Sequence, residues 1–300
     1  MGFLKIDKIY LYVIIGFFIY ISGTLILNID RGFDVTDESF YILNAMYPFD
    51  IFSTISHDMY YNHILFFLSG YNLSLFRLYG IVVLILVSIW FALELFEYIC
   101  YKFVLEYDFV NKLFFIFVII ISSLSYYKYW LITPSYNWLA LVSVILVSAS
   151  IFRIVNNRDK IKGKFFTIEY FILSFSLNLS FFSKPTTLLA LIPILILFLI
   201  YNYKEIYFKK AFISIFIISF SILFFHIVLL DGGFSSYYFR TIESMKRFEL
   251  LGGGHNFLDI TMNIYIDLKE IIFSIYWYKL ATFMFLFLLL IFPFLLVPIN

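Results

Sequence analysis

The stretch Leu78–Tyr98, LYGIVVLILVSIWFALELFEY, carries no charge until Glu94. About twenty helical residues cross a hydrocarbon core of about 30 Å. Strands of a membrane barrel alternate apolar and polar side chains, and this stretch does not. Apolar on all sides, it fits a helix that satisfies its own backbone hydrogen bonds in lipid. The composition agrees. Of 300 residues, 63% are hydrophobic and 14% charged, where a soluble domain carries about 25% charged residues. Forty-one Phe and twenty-five Tyr are more apolar surface than one soluble core absorbs, so lipid is the remaining solvent. The expected fold class is all-α, a polytopic transmembrane helical protein.

The same reading places about eight spans, forming one transmembrane domain over residues 1–300. They are Ile9–Leu27, Leu78–Tyr98, Leu113–Tyr129, Asn137–Ile154, Phe165–Phe182, Pro185–Asn202, Ala211–Leu230 and Leu280–Val297. The first follows a basic start and is too long for a signal-peptide core, so it reads as uncleaved. Ile6 stands where an N-myristoylation signal needs Ser or Thr. Lys5, Lys8, Lys102, Lys112, the Arg153–Lys164 cluster, Lys204, Lys209 and Lys210 fall in one set of loops. Positive charge marks the cytoplasmic side, so the N-terminus is expected inside. The net charge of +1 argues against a nucleic-acid partner. A single Cys100 excludes a disulfide framework.

Two loops on the opposite, extracytoplasmic side are long. The first, residues 28–77, begins with Asp30, Asp34, Asp37, Glu38 and Asp50, then carries an aromatic stretch, Met59–Leu68. That stretch is too short to span and reads as an interfacial helix. The second, residues 231–279, holds Arg240, Lys246, Arg247 and the Gly252–Gly254 break. After the break Ile260, Ile264, Leu268, Ile271, Ile272 and Ile275 recur at helical spacing, a second interfacial helix.

Chemistry concentrates just beyond the first span. Asp37-Glu38 is followed by Tyr41 one helical turn later. Further on come His63-Ile-Leu-Phe-Phe-Leu-Ser-Gly70 and Arg77-Leu78, then Thr133-Pro-Ser-Tyr-Asn137 and Ser183-Lys-Pro-Thr-Thr187. In this order the segments resemble the GT-C superfamily of glycosyltransferases, in the branch of the protein O-mannosyltransferases and the lipid A aminoarabinose transferase. The chain differs in having Asn62 rather than proline before His63, and in ending where relatives continue with further helices. The latter would make it a short or truncated member.

The resemblance implies transfer of a sugar from a polyprenyl-phosphate donor to a hydroxyl of a glycan, lipid or protein acceptor, with inversion, on the extracytoplasmic side of a bacterial inner membrane. It implies Asp37 as general base, with Glu38 beside it as a binding or orienting carboxylate. The departing phosphate gains charge and calls for cations. Arg77, Lys128, Lys184, Arg240, Lys246 and Arg247 are the candidates on the expected outer side. Tyr41, His63, Tyr136 and Asn137 are the candidates for contacting substrate.

Other ionisable residues have plainer readings. His57-Asp58 offers two metal ligands without a third, so a surface role is expected, no cofactor is assigned, and room is left for a divalent metal. His226, inside a span, reads as interfacial hydrogen bonding. Glu94, Glu97 and Glu169 read as interfacial too. The glycine triplet lacks the Lys-Ser/Thr of a phosphate loop. The alternatives in function are a transporter or flippase of lipid-linked sugars, for which inverted repeats would be expected, and an inactive, truncated relative.

Overall fold

The computed structural model describes residues 8–32, 37–50, 56–106, 108–128, 132–202 and 208–250. All regular structure among them is helical. In chain order the helices are α1 (Lys8–Leu27), α2 (Asp37–Met46), α3 (Asp58–Leu68), α4 (Leu73–Phe103), α5 (Phe109–Lys128), α6 (Tyr136–Asn156), α7 (Arg158–Ile161), α8 (Ile168–Ser183), α9 (Pro185–Tyr201), α10 (Phe208–Leu229) and α11 (Phe234–Leu250). Five of them, α1, α4, α5, α6 and α10, are long and apolar enough to cross a membrane. The apolar helices α8 and α9 are shorter, at 16 and 17 residues. That set of apolar helices fits a helical membrane protein. The eighth expected span, Leu280–Val297, and the helix expected over Ile260–Ile275 lie outside the described residues.

α6 is the centre of the bundle. It packs between α4 and α8, while α5 lies on α4, α1 on α5, and α9 and α10 on α8. Trp138, Leu139, Val142 and Ile145 near its start share one core with α1, α4 and α5. Val147, Ile151, Ile154 and Val155 near its end share another with α8, α9 and α10. By contrast 6% of the α1 window is buried, against 67% of α6, which leaves the apolar surface of α1 for lipid. Without a hydrophobic drive between helices in lipid, small polar side chains hold such interfaces. Ser88 Oγ bonds Ser123 Oγ between α4 and α5, and Ser180 Oγ bonds Ser143 Oγ between α8 and α6. Ser174 Oγ donates to the Ile215 carbonyl between α8 and α10.

The helix ends depart from the hydropathy reading where local chemistry intervenes. α4 begins five residues before Leu78 because Asn72 caps it, accepting from the Leu75 N–H at 3.0 Å. It ends at Val104, whose φ of 51° is left-handed. Ser135 caps α6 by accepting from Trp138 N–H, and Pro185 opens α9, where its fixed φ and missing N–H cost nothing. The acidic motif is not loop but the first turn of α2. There two carboxylates favour the positive end of the helix dipole. α3 does not simply lie on a surface: Asp58, Met59, Tyr60, Asn62 and Phe66 are all buried. Inside the protein Asn62 Nδ2 donates to Asp58 Oδ2 at 2.9 Å.

Candidate functional site

Glu38 is wholly buried, and α4 reaches it through Arg77, also wholly buried. The guanidinium has five N–H donors, and each is engaged. Nε donates to Thr133 Oγ1 at 2.9 Å. One terminal nitrogen serves the carbonyls of Ile29 (2.6 Å) and Arg31 (2.7 Å). The other serves the Gly32 carbonyl (3.2 Å) and Glu38 Oε1 (2.9 Å). Thr133 Oγ1 also donates to Glu38 Oε1, and Arg31 approaches that oxygen at 3.7 Å. One arginine thus ties together the chain after α1, the start of α2 and the turn before α6. Gly80 makes that turn possible: a Cβ there would lie 2.7 Å from Pro134 Cγ.

With Glu38 locked inward, Asp37 stands exposed beside it at the tip of α2. One turn on, the Tyr41 ring meets the Tyr136 ring edge-on, centroids 5.6 Å apart. Lys184, exposed between α8 and α9, places its Nζ 5.8 Å from the Tyr136 ring centroid. Burial, Tyr136 and the Asp37 charge together raise the Tyr41 phenol, which stays protonated. A carboxylate, two tyrosines and a lysine from α2, α6 and the α8–α9 junction therefore line one patch of the protein.

A second cluster lies between α3, α10 and α11. His57 Nδ1 is 3.0 Å from His226 Nε2 and 3.1 Å from Asp231 Oδ2, and His226 Nε2 is 3.7 Å from the same oxygen. All three residues are buried. The His57 backbone N–H is fixed by the Phe182 carbonyl at 2.7 Å. Phe182 stacks on His226 with centroids 3.7 Å apart. Tyr61 Oη is 3.2 Å from His226 Nδ1. Asp231 Oδ1 accepts from Tyr60 at 3.0 Å and pairs with Arg240 Nε at 3.3 Å. Burial alone would push the Asp231 carboxyl up, but His57, Arg240 and His226 outweigh it and hold the group below the usual carboxylate range. Burial keeps the Tyr60 and Tyr61 phenols protonated. At neighbouring Asp58, burial pushes the carboxyl up to about 6 against the hydrogen bonds from Ser56 and Asn62.

The other expected site residues are distributed as follows. His63 Nδ1 is 2.7 Å from the Ala45 carbonyl and joins α3 to α2. Asn137 lies half-buried in the first turn of α6. Arg240 is buried against Tyr60, donating to its hydroxyl at 2.8 Å. Lys246 is exposed on α11, and the side chains of Lys128 and Arg247 lie outside the described residues. The surface role expected for His57-Asp58 gives way to burial, at 5% and 2% exposure. The reason is that His226 and Asp231 supply partners from 169 residues and more away in sequence. No local spacing signals that cluster. Its one trace in the sequence is an ionisable His226 within an apolar run. Glu94 is buried too, paired with Arg153 at 2.9 Å and with Asn156, joining α4 to α6. Comparison with protein-family models, with curated proteins and with solved structures finds no match for this chain.

Proposed function

We propose that this chain is an integral-membrane glycosyltransferase that moves a sugar from a polyprenyl-phosphate donor to a hydroxyl acceptor, with the patch at the tip of α2 as its active site. The observation that carries the reading is the unequal fate of the acidic pair. Glu38 is spent on Arg77 and Thr133, which fixes α2 and leaves the adjacent Asp37 exposed on a rigid element. A general base needs that combination of a held backbone and an accessible carboxylate. Lys184 supplies a cation on the same patch beside Tyr136, whose ring meets Tyr41 of α2. Arg77, with every donor engaged, is assigned to holding the site rather than to the phosphate.

In the proposed step the acceptor oxygen attacks the anomeric carbon and gives its proton to Asp37. The bond from that carbon to the phosphate oxygen breaks, and the phosphate leaves with the electron pair, stabilised by Lys184. A single displacement inverts the anomeric configuration. The reading places the N-terminus in the cytoplasm of a bacterial cell, the patch on the outer face of its inner membrane, and α8 and α9 among about eight spans. Its supports are the Lys/Arg asymmetry of the loops and the resemblance of the acidic motif. The test is incubation of purified protein with radiolabelled polyprenyl-phosphate sugars and membrane acceptors. Wild type transfers label; Asp37→Asn, folded and still binding donor, does not. Label transfer undiminished in Asp37→Asn would remove Asp37 from the mechanism.

A further inference from the structure

We propose that His57, His226 and Asp231 form a three-ligand binding site for a divalent transition metal, with zinc the first candidate. The argument begins with the shape of the cluster. Zinc binds imidazole nitrogen and carboxylate oxygen at about 2.0–2.2 Å. Ligand atoms sharing such an ion tetrahedrally sit about 3.3–3.5 Å from one another. Here the three separations are 3.0, 3.1 and 3.7 Å, so one ion placed among them reaches each ligand with little movement. All three are buried, so the two imidazoles and the carboxylate meet away from water.

The hydrogen bonding supplies the second, independent sign. Asp231 Oδ2 is buried and receives no well-aligned hydrogen bond, although His57 Nδ1 is 3.1 Å away and Oδ1 of the same carboxylate is served by Tyr60. His57 Nδ1 is close to Oδ2 but aligned with His226 Nε2 instead. A buried carboxylate oxygen left without a donor costs free energy unless a cation fills the place. That poorly served oxygen is the one that faces both imidazoles.

The surroundings complete the site. Ligating imidazoles usually donate their second ring N–H to a fixed partner, which sets the tautomer. His226 Nδ1 has that partner in Tyr61 Oη, leaving Nε2 with its lone pair toward the cluster. Phe182 stacks on the His226 ring and its carbonyl holds the His57 backbone, so both imidazoles are set before any ion arrives. Arg240 pairs with Asp231 through Oδ1, away from the oxygen assigned to the metal. Three protein ligands leave a fourth position open, the pattern of zinc sites that bind water or a substrate oxygen. The ligands come from the residue before α3, the last turn of α10 and the second residue after it, so the ion would also pin α3 to the α10–α11 corner.

The full chain, purified in detergent through a tag other than polyhistidine, is analysed for metals by mass spectrometry and titrated with Zn2+, Fe2+ and Mn2+ after chelation. The expected results are co-purifying zinc equimolar with protein, a lower Tm on chelation and its recovery with Zn2+. His226→Ala and Asp231→Asn should lose the metal and the zinc-dependent part of Tm. Asp58→Asn, whose oxygens face Ser56 and Asn62, should keep both. Tyr61→Phe should bind zinc about 10–100-fold more weakly, as expected for loss of a ligand's hydrogen-bond partner. Should a ligand variant fail to fold, Co2+-loaded wild type provides the second readout, through the intense visible bands of a tetrahedral nitrogen–oxygen site. A wild type that neither carries nor responds to any of these ions overturns the proposal, as does full metal retention in His226→Ala and Asp231→Asn. None of these readouts depends on sugar transfer, so the metal site and the transferase reading stand or fall separately.

Discussion

Arg77→Ala is the perturbation that most directly tests how the site is held. It removes the single donor set shared by Glu38, Thr133 and the carbonyls of Ile29, Arg31 and Gly32. Both side chains of the ion pair are fully buried, so the charge left on Glu38 has no water to turn to. Breaking one partner of such a pair costs about 3–5 kcal/mol, a shift of roughly 10²–10⁴ in the folding equilibrium. The upper end applies if the three carbonyls stay dry, because each buried acceptor without a donor adds about 1–3 kcal/mol. The double variant Arg77→Ala with Glu38→Gln removes the stranded charge and should recover about 1–3 kcal/mol relative to the sum of the singles. The assay is reversible unfolding in mixed micelles, with donor binding measured on each folded variant. A loss below about 1 kcal/mol for Arg77→Ala, or strict additivity in the double variant, would refute the clamp. So would normal stability combined with lost donor affinity, which would return Arg77 to the phosphate.

Other consequences are simpler to measure. Asp37→Asn should lower transfer about 10²–10⁴-fold at unchanged Tm, whereas Glu38→Gln should lower Tm first, separating an exposed base from a buried tie. Lys184→Ala should weaken donor binding about ten- to a hundredfold, read by titration with a fluorescent polyprenyl phosphate, as for loss of one charged hydrogen bond. Gly80→Ala pushes a methyl group onto Pro134 and should cost about 1–3 kcal/mol in the same unfolding assay, since the proline ring cannot swing away. With Cys100 replaced by Ser, a cysteine at Asp50 should react with an impermeant thiol reagent in intact cells and one at Lys160 should not; the opposite pattern would reverse the assigned orientation.

The helical membrane class was legible in the chain itself, because lipid imposes a one-dimensional rule. An apolar run of sufficient length must satisfy its own backbone, and Leu78–Tyr98 announces this without reference to any other segment. The acidic pair next to the first span was legible as well, since Asp37, Glu38 and Tyr41 are neighbours in sequence. What the sequence could not show is which of two adjacent carboxylates is buried. That depends on Arg77 and Thr133, 39 and 95 residues away from Glu38, and on a glycine that lets Pro134 approach α4. The extra turn at the start of α4 and the helix at Asp37–Met46 escaped the hydropathy reading for a related reason. Capping by Asn72 and the burial of polar faces are set by partners rather than by apolar content. His57, His226 and Asp231 are the extreme case. Each alone is an ordinary polar residue near an apolar segment, and their chemistry exists only because α3, α8 and α10 pack so that three ligand atoms share one buried point. Periodicity and composition report how each segment meets its solvent, whereas the meeting of side chains from distant segments is decided by packing in three dimensions.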